Sequence, residues 1–244
     1  MTADQYISMG ASVGTFLAAV ATFLTVWQIS KQRRASYRPE IVIPRGWVVT
    51  LPDKEDDDLS PLLRWKETDD NSESESSVVA WPYHLRLVNI GMGSATHVSG
   101  AWDFPMEKFV EGIRERSRRL ESSLAIEYKK GAVSITKPDF TSFWFNQRNF
   151  HLDYVLPASV EKEPLKIVVP SAYILSVSAY MSLFLRGAAG PIDDKAAPNV
   201  PPLKIVLNFD DIAGEKHKTS YDVEFEWYAF TAYEFKATLV PKKT

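Results

Sequence analysis

Tyr6 to Ile29 is a run of 24 residues without a charged side chain. At about 1.5 Å per residue, a helix of that length reaches about 36 Å, enough to cross a hydrocarbon core of about 30 Å. Soluble helices this long carry a charged face, and this one has none. The run therefore reads as a transmembrane helix over 6–29 rather than a buried core helix. Ala19-Val20-Ala21 has the small-residue spacing of a signal-peptidase site. Met1 to Gln5 hold no Lys or Arg, however, and the apolar run continues to Trp27, which favours a retained anchor over a cleaved signal.

The flanks predict the orientation. Asp4 is the sole charged side chain before the run, whereas Lys31, Arg33, Arg34 and Arg38 follow it. Translocating four positive charges is disfavoured, so the expected topology in an inner (plasma) membrane puts the five N-terminal residues outside and the rest in the cytoplasm. The basic segment 30–38 is then placed to meet anionic lipid headgroups. Tyr6 and Trp27 lie near the two ends, where amphipathic rings favour the headgroup zone. Gly10, Gly14, Ala18 and Thr22 recur every fourth residue and line one face, the small-residue pattern through which membrane helices pair, so a homodimer through this helix is expected.

A second uncharged stretch, Ile167 to Leu185, competes as a crossing. It opens with the β-like Leu165-Lys166-Ile167-Val168-Val169, and Pro170 suits the first position of a helix. The helix that follows is about 15 residues, short for a span. It reads as a helix packed on the domain.

The remainder, 39–244, reads as one mainly-β domain, an antiparallel β-sandwich with two inserted helices. Leu203, Ile205, Leu207 and Phe209 alternate with polar or smaller neighbours; Val223, Phe225 and Trp227 do the same after the turn at Asp210-Asp211-Ile212-Ala213-Gly214, and Tyr233, Phe235, Ala237 and Leu239 form a third run. A period of two with one wet face means antiparallel strands. Lys129-Lys130-Gly131 suits a hairpin turn between two short strands. Pro105 to Ser122 reads as an amphipathic helix, with Met106, Phe109, Val110, Ile113 and Leu120 on one side and mixed charge on the other. Pro52 to Ser77 carries ten acidic residues against three basic ones and reads as a flexible acidic loop. Within it, Leu59, Leu62, Leu63 and Trp65 form an apolar island, either a partner-binding motif or a segment packed on its own domain.

Catalytic patterns are sparse. The chain has no Cys, which removes disulfides, thiolate metal sites and cysteine nucleophiles. His84, His97, His151 and His217 show no HxH or HExxH spacing, and no Walker or GxGxxG loop and no GxSxG elbow occurs. A net charge of -3 argues against general nucleic-acid binding. No catalytic residue, cofactor or metal ligand is assigned.

The charge-free span, its basic stop, Arg38-Pro39-Glu40-Ile41 and then Asn89-Ile90-Gly91-Met92-Gly93-Ser94-Ala95 resemble a loose group of uncharacterised bacterial and prophage-borne single-span proteins with a cytosolic β-sandwich. That resemblance implies a fold and not an activity. Together these features lead us to expect a membrane-anchored, non-enzymatic interaction or sensing module that binds an unidentified cytoplasmic protein. The alternative is a membrane-acting effector, defence or toxin-like, that oligomerises through its transmembrane helix.

Overall fold

A computed structural model describes residues 3–51, 64–67, 83–137, 140–187, 198–230 and 235–244. Helix α1 (Ala3–Ser36) is unbroken. Within it, Gly10–Arg33 is the one described helix long and apolar enough to cross a membrane, with a mean hydropathy of 1.6 and none of the stretch buried. Thr15, Thr22 and Thr25 donate their hydroxyls to the carbonyls of Ala11, Ala18 and Ala21 at 2.8–2.9 Å. This back-bonding lets an apolar helix carry threonine without an orphaned donor.

The chain then forms β1 (Ile41–Val42), β2 (Gly46–Leu51), β3 (Arg64–Glu67), β4 (His84–Asn89) and β5 (Ala95–Asp103), followed by helix α2 (Met106–Arg119). Next come β6 (Ala125–Lys129), β7 (Ala132–Lys137), β8 (Phe140–Phe145), β9 (Asn149–Val155) and β10 (Leu165–Val168), then helix α3 (Ser171–Gly187). The chain closes with β11 (Leu203–Asp211), β12 (Lys216–Phe230) and β13 (Phe235–Lys243). Seven strands form one sheet in the order β3-β2-β13-β12-β11-β5-β9, and two three-stranded sheets, β1-β4-β10 and β6-β7-β8, complete the domain. Among the described residues every pairing between these strands is antiparallel.

The alternating patterns do what their period requires. Along β11, Leu203, Ile205, Leu207 and Phe209 are buried while Lys204 and Asn208 are exposed. The turn between β6 and β7 holds both Lys130 and Gly131 at positive φ, 51° and 77°, the pairing that matches a two-residue hairpin loop to the twist of its strands. On α2, Met106, Phe109, Val110 and Ile113 face inward, whereas Leu120, expected on the same side, is the exposed residue that ends the helix. Glu115 and Arg119 pair across one helical turn at 3.5 Å, as their spacing allows.

Helix α3 settles the second apolar stretch. From Ala172 to Phe184 every described side chain is buried except the partly covered Tyr180. Tyr173 packs edge-on against Phe104 and Trp65, with ring centroids 4.9 and 6.2 Å apart, and Phe184 meets Trp227 at 6.3 Å. Its serines are satisfied locally: Ser176 and Ser182 donate to the carbonyls of Ala172 and Ala179, and Ser178 accepts the Trp65 indole N–H at 2.9 Å. A helix apolar on all sides belongs in a core or a bilayer, and here the domain supplies the core. The Tyr173 hydroxyl stays without a hydrogen-bond partner, and burial pushes its pKa up.

Of the acidic segment 52–77, only Arg64–Glu67 lie among the described residues, and these four form a strand. Arg64–Glu67 pair with β2, from Val48↔Glu67 to Leu51↔Arg64, and the Trp65 side chain is only 2% exposed. A buried indole with its N–H satisfied ties this edge strand to the core. Leu59, Leu62 and Leu63 lie outside the described residues.

Leu175 is fully buried on α3, so Leu175→Ala should cost about 2–5 kcal/mol of unfolding free energy. Denaturant titration of the detergent-solubilised protein, followed by tryptophan fluorescence, measures this. Leu120→Ala, at an exposed helix end, should cost far less.

Candidate functional site: the clamp at the helix exit

Helix α1 gives way to strand β1 across Tyr37–Glu40, and this short segment is held by a single buried side chain. Asn89, 1% exposed at the end of β4, uses all four of its amide hydrogen-bond positions. Its Oδ1 accepts the backbone N–H of Glu40 at 3.0 Å and of Gly91 at 3.1 Å. Its Nδ2 donates to the carbonyls of Gly93 at 2.7 Å and Val155 at 3.1 Å. The main chain adds to this, since Ile90 N–H donates to the Glu40 carbonyl and Ala158 N–H to the Asn89 carbonyl, both at 2.8 Å. One amide thus joins the helix exit, the β4–β5 turn and the end of β9.

The glycines of that turn are required by close approach. A Cβ on Gly91 would collide with the Arg38 carbonyl oxygen, and one on Gly93 with the Tyr37 carbonyl oxygen. The backbone of the helix exit lies directly on the turn, and a side chain at either position would push it off. A few residues on, the Tyr221 hydroxyl donates to the Ile41 carbonyl at 2.6 Å in a buried setting, and Lys243 lies 3.8 Å from Glu40.

The residues singled out on α1 are placed plainly. Gly10, Gly14, Ala18 and Thr22 are all exposed, and nothing lies within 4 Å of where a Cβ on Gly10 or Gly14 would stand. The small-residue face is therefore uncovered by the chain's own domain. Lys31, Arg33 and Arg38 are exposed beyond it, with the Lys31 ammonium 4.1 Å above the Trp27 ring. Arg34 continues the helical backbone. Trp65, from the apolar island, is committed to the core.

The histidines scatter. His97, at φ 50°, is 82% exposed at its side chain and lies 3.4 Å from Asp210. Among the described residues one group, Asp211, Glu215 and His217, brings three ligand-type side chains within reach of one another. It sits in the β11–β12 turn. Asp211 Oδ1 accepts the N–H groups of Ala213 and Glu215 at 2.8 and 2.9 Å, and Oδ2 lies 3.1 Å from His217 Nε2. Burial raises the Asp211 pKa, but these hydrogen bonds and the His217 ring outweigh it and hold the carboxyl below its ordinary value. The donors are those the turn supplies, so the arrangement closes the hairpin. A depression of about 690 Å³ beside the start of α2 is lined by side chains that include Glu107, Glu111, Tyr128 and Arg148, with no histidine or serine among them.

No family model, curated protein or solved structure matches the chain. The clamp was half legible in sequence. Asn-x-Gly-x-Gly-x-Ala stands out as a turn motif, but nothing local in it says that the glycines receive a backbone about fifty residues earlier. Asn89→Ala should cost about 3 kcal/mol, because it leaves buried N–H and C=O groups unpaired. It should also make the 37–40 segment the first site of limited proteolysis in detergent micelles, read by mass spectrometry.

Proposed function

We propose that the chain is a membrane-anchored, non-enzymatic interaction or sensing module. In this reading α1 spans the inner (plasma) membrane with its N-terminus outside, and the mainly-β domain, taken as a β-sandwich closed around α3, faces the cytoplasm and binds a protein partner there. The observation that carries it is a contrast between two apolar helices. The domain buries α3 from Ala172 to Phe184 apart from the partly covered Tyr180 and leaves all of Gly10–Arg33 uncovered. An uncovered apolar helix of this length has no stable place in water, and a bilayer supplies the missing solvent.

Three further features support the arrangement. The basic residues Lys31, Arg33, Arg34 and Arg38 follow the apolar stretch, as a cytoplasmic flank requires. The helix runs unbroken past Ala19-Val20-Ala21 to Ser36 and is clamped at its exit, which suits a retained anchor. Tethering also concentrates the domain at the membrane, so weak contacts with a partner suffice. Paired reporter fusions after Thr244, one active in the cytoplasm and one outside it, test the topology. The cytoplasmic reporter should be active, and activity of the external one would overturn the reading.

The uncovered face of Gly10 and Gly14 favours a second reading, a membrane-acting effector that oligomerises through α1. Gly14→Ile should lower the dimer signal in a membrane two-hybrid assay. If induced expression also collapses the membrane potential and Gly14→Ile restores it, the effector reading replaces the adaptor one.

A further inference from the structure

The end of the domain from which α1 departs is unusually apolar. Outside α1, the described residues include eleven exposed large apolar side chains, and five of them (Tyr37, Ile90, Met92, Val160 and Ile212) lie at this end. They come from separate parts of the chain. Tyr37 is the first residue after α1, Ile90 and Met92 are in the β4–β5 turn, Val160 is in the β9–β10 loop and Ile212 is at the tip of the β11–β12 hairpin. The ladders bring these loops together, since Ala95 pairs with both Val155 and Asp211, and Asn89 bonds to Ala158. Ile90, Met92, Val160 and Ile212 are 57–69% exposed, although the tips of loops that face water are ordinarily small and polar.

Geometry supplies an occupant. Between Ile29, where the apolar run ends, and Ser36, where the helix ends, lie seven residues or about 10 Å of helix. Headgroups occupy about 5–8 Å on each side of the hydrocarbon core. An ordinary helix tilt of about 20–40° shortens the projection to about 8–9 Å. Four residues after Ser36, Glu40 is already fixed to Asn89, so no linker separates the loop tips from the lipid surface.

We propose that this end of the domain is a second membrane contact, in which Ile90, Met92, Val160 and Ile212 seat in the headgroup layer of the bilayer that holds α1. The inference rests on α1 spanning that bilayer. The contribution of these four side chains is apolar, and apolar burial is not screened by salt, which weakens only the attraction of Arg38 and the basic end of α1 for anionic headgroups. With two attachments, the helix and the loop tips, the domain lies flat against the surface instead of swinging from one point.

The chain has no cysteine, so single-cysteine labels report without background. The test uses the full-length protein in phosphatidylcholine–phosphatidylglycerol vesicles, with an environment-sensitive NBD label at Met92→Cys, Ile212→Cys, Asp103→Cys or Phe16→Cys. Asp103 is exposed at the far end of β5, and Phe16 is exposed within α1. Labels at 92 and 212 should be quenched severalfold more by shallow spin-labelled lipid than the label at 103. They should be correspondingly shielded from aqueous iodide, at low and high salt alike. If 16 is quenched by lipid while 92 and 212 behave like 103, the surface contact is refuted and the anchor stands. Labels at 92 and 212 shielded from iodide but untouched by lipid would mean a protein covers this end, which also refutes the proposal. A water-exposed label at 16 overturns the anchor, and the contact with it.

Discussion

From Ala172 to Phe184 helix α3 is buried but for the partly covered Tyr180, and the rest of the domain depends on that enclosure. A helix apolar on all sides must be surrounded, and the surrounding here is assembled from distant pieces of the chain. Trp65 from β3, Phe104 after β5 and Trp227 from β12 all reach it. Because β3 sits at the edge of the seven-stranded sheet, its tryptophan carries a strand flanked by acidic residues into the core, where Ser178 satisfies the indole. Helix α2 adds a further wall, with Arg116 stacked 5.2 Å over the Phe184 ring. The sequence separation of these contacts means that the core forms by long-range association rather than by local collapse, which slows folding.

The two apolar helices resolve the same physical problem in opposite ways. α3 is followed and preceded by strands that fold over it, whereas α1 is joined to the domain through the Tyr37–Glu40 segment that follows it. At that junction the molecule is rigid. Asn89 spends four hydrogen bonds there, and two glycines give up their side chains so that the backbones can touch. A fully satisfied buried amide is a stringent arrangement, since any loss of register leaves several groups unpaired in a site that water does not reach.

What was legible in the sequence follows from the range of the interactions. The period-two runs of β11 and β12 reveal strands because the burial of alternate residues is a local consequence of the pleat. The Lys130-Gly131 turn was legible for a similar reason, its backbone conformation being written in two adjacent residues. Pro170 marked the start of α3, and the length of the apolar run argued against a crossing. Trp65 was harder, because ten acidic residues around it mask a strand whose stability comes from a partner 113 positions away. The role of Gly91 and Gly93 was illegible for the same reason. Their turn is visible in the sequence, but the chain that rests upon it is not.

The short junction between α1 and β1 leaves the molecule without a swivel. A helix turns about 100° per residue, so adding or removing one residue between Ile29 and Ser36, within α1, would rotate the whole domain by that angle about the helix axis. Two chains joined along the Gly10–Gly14 face, as proposed above, would present fixed, two-fold related sides of their domains to each other. The azimuth of the domain is thus encoded in helical register.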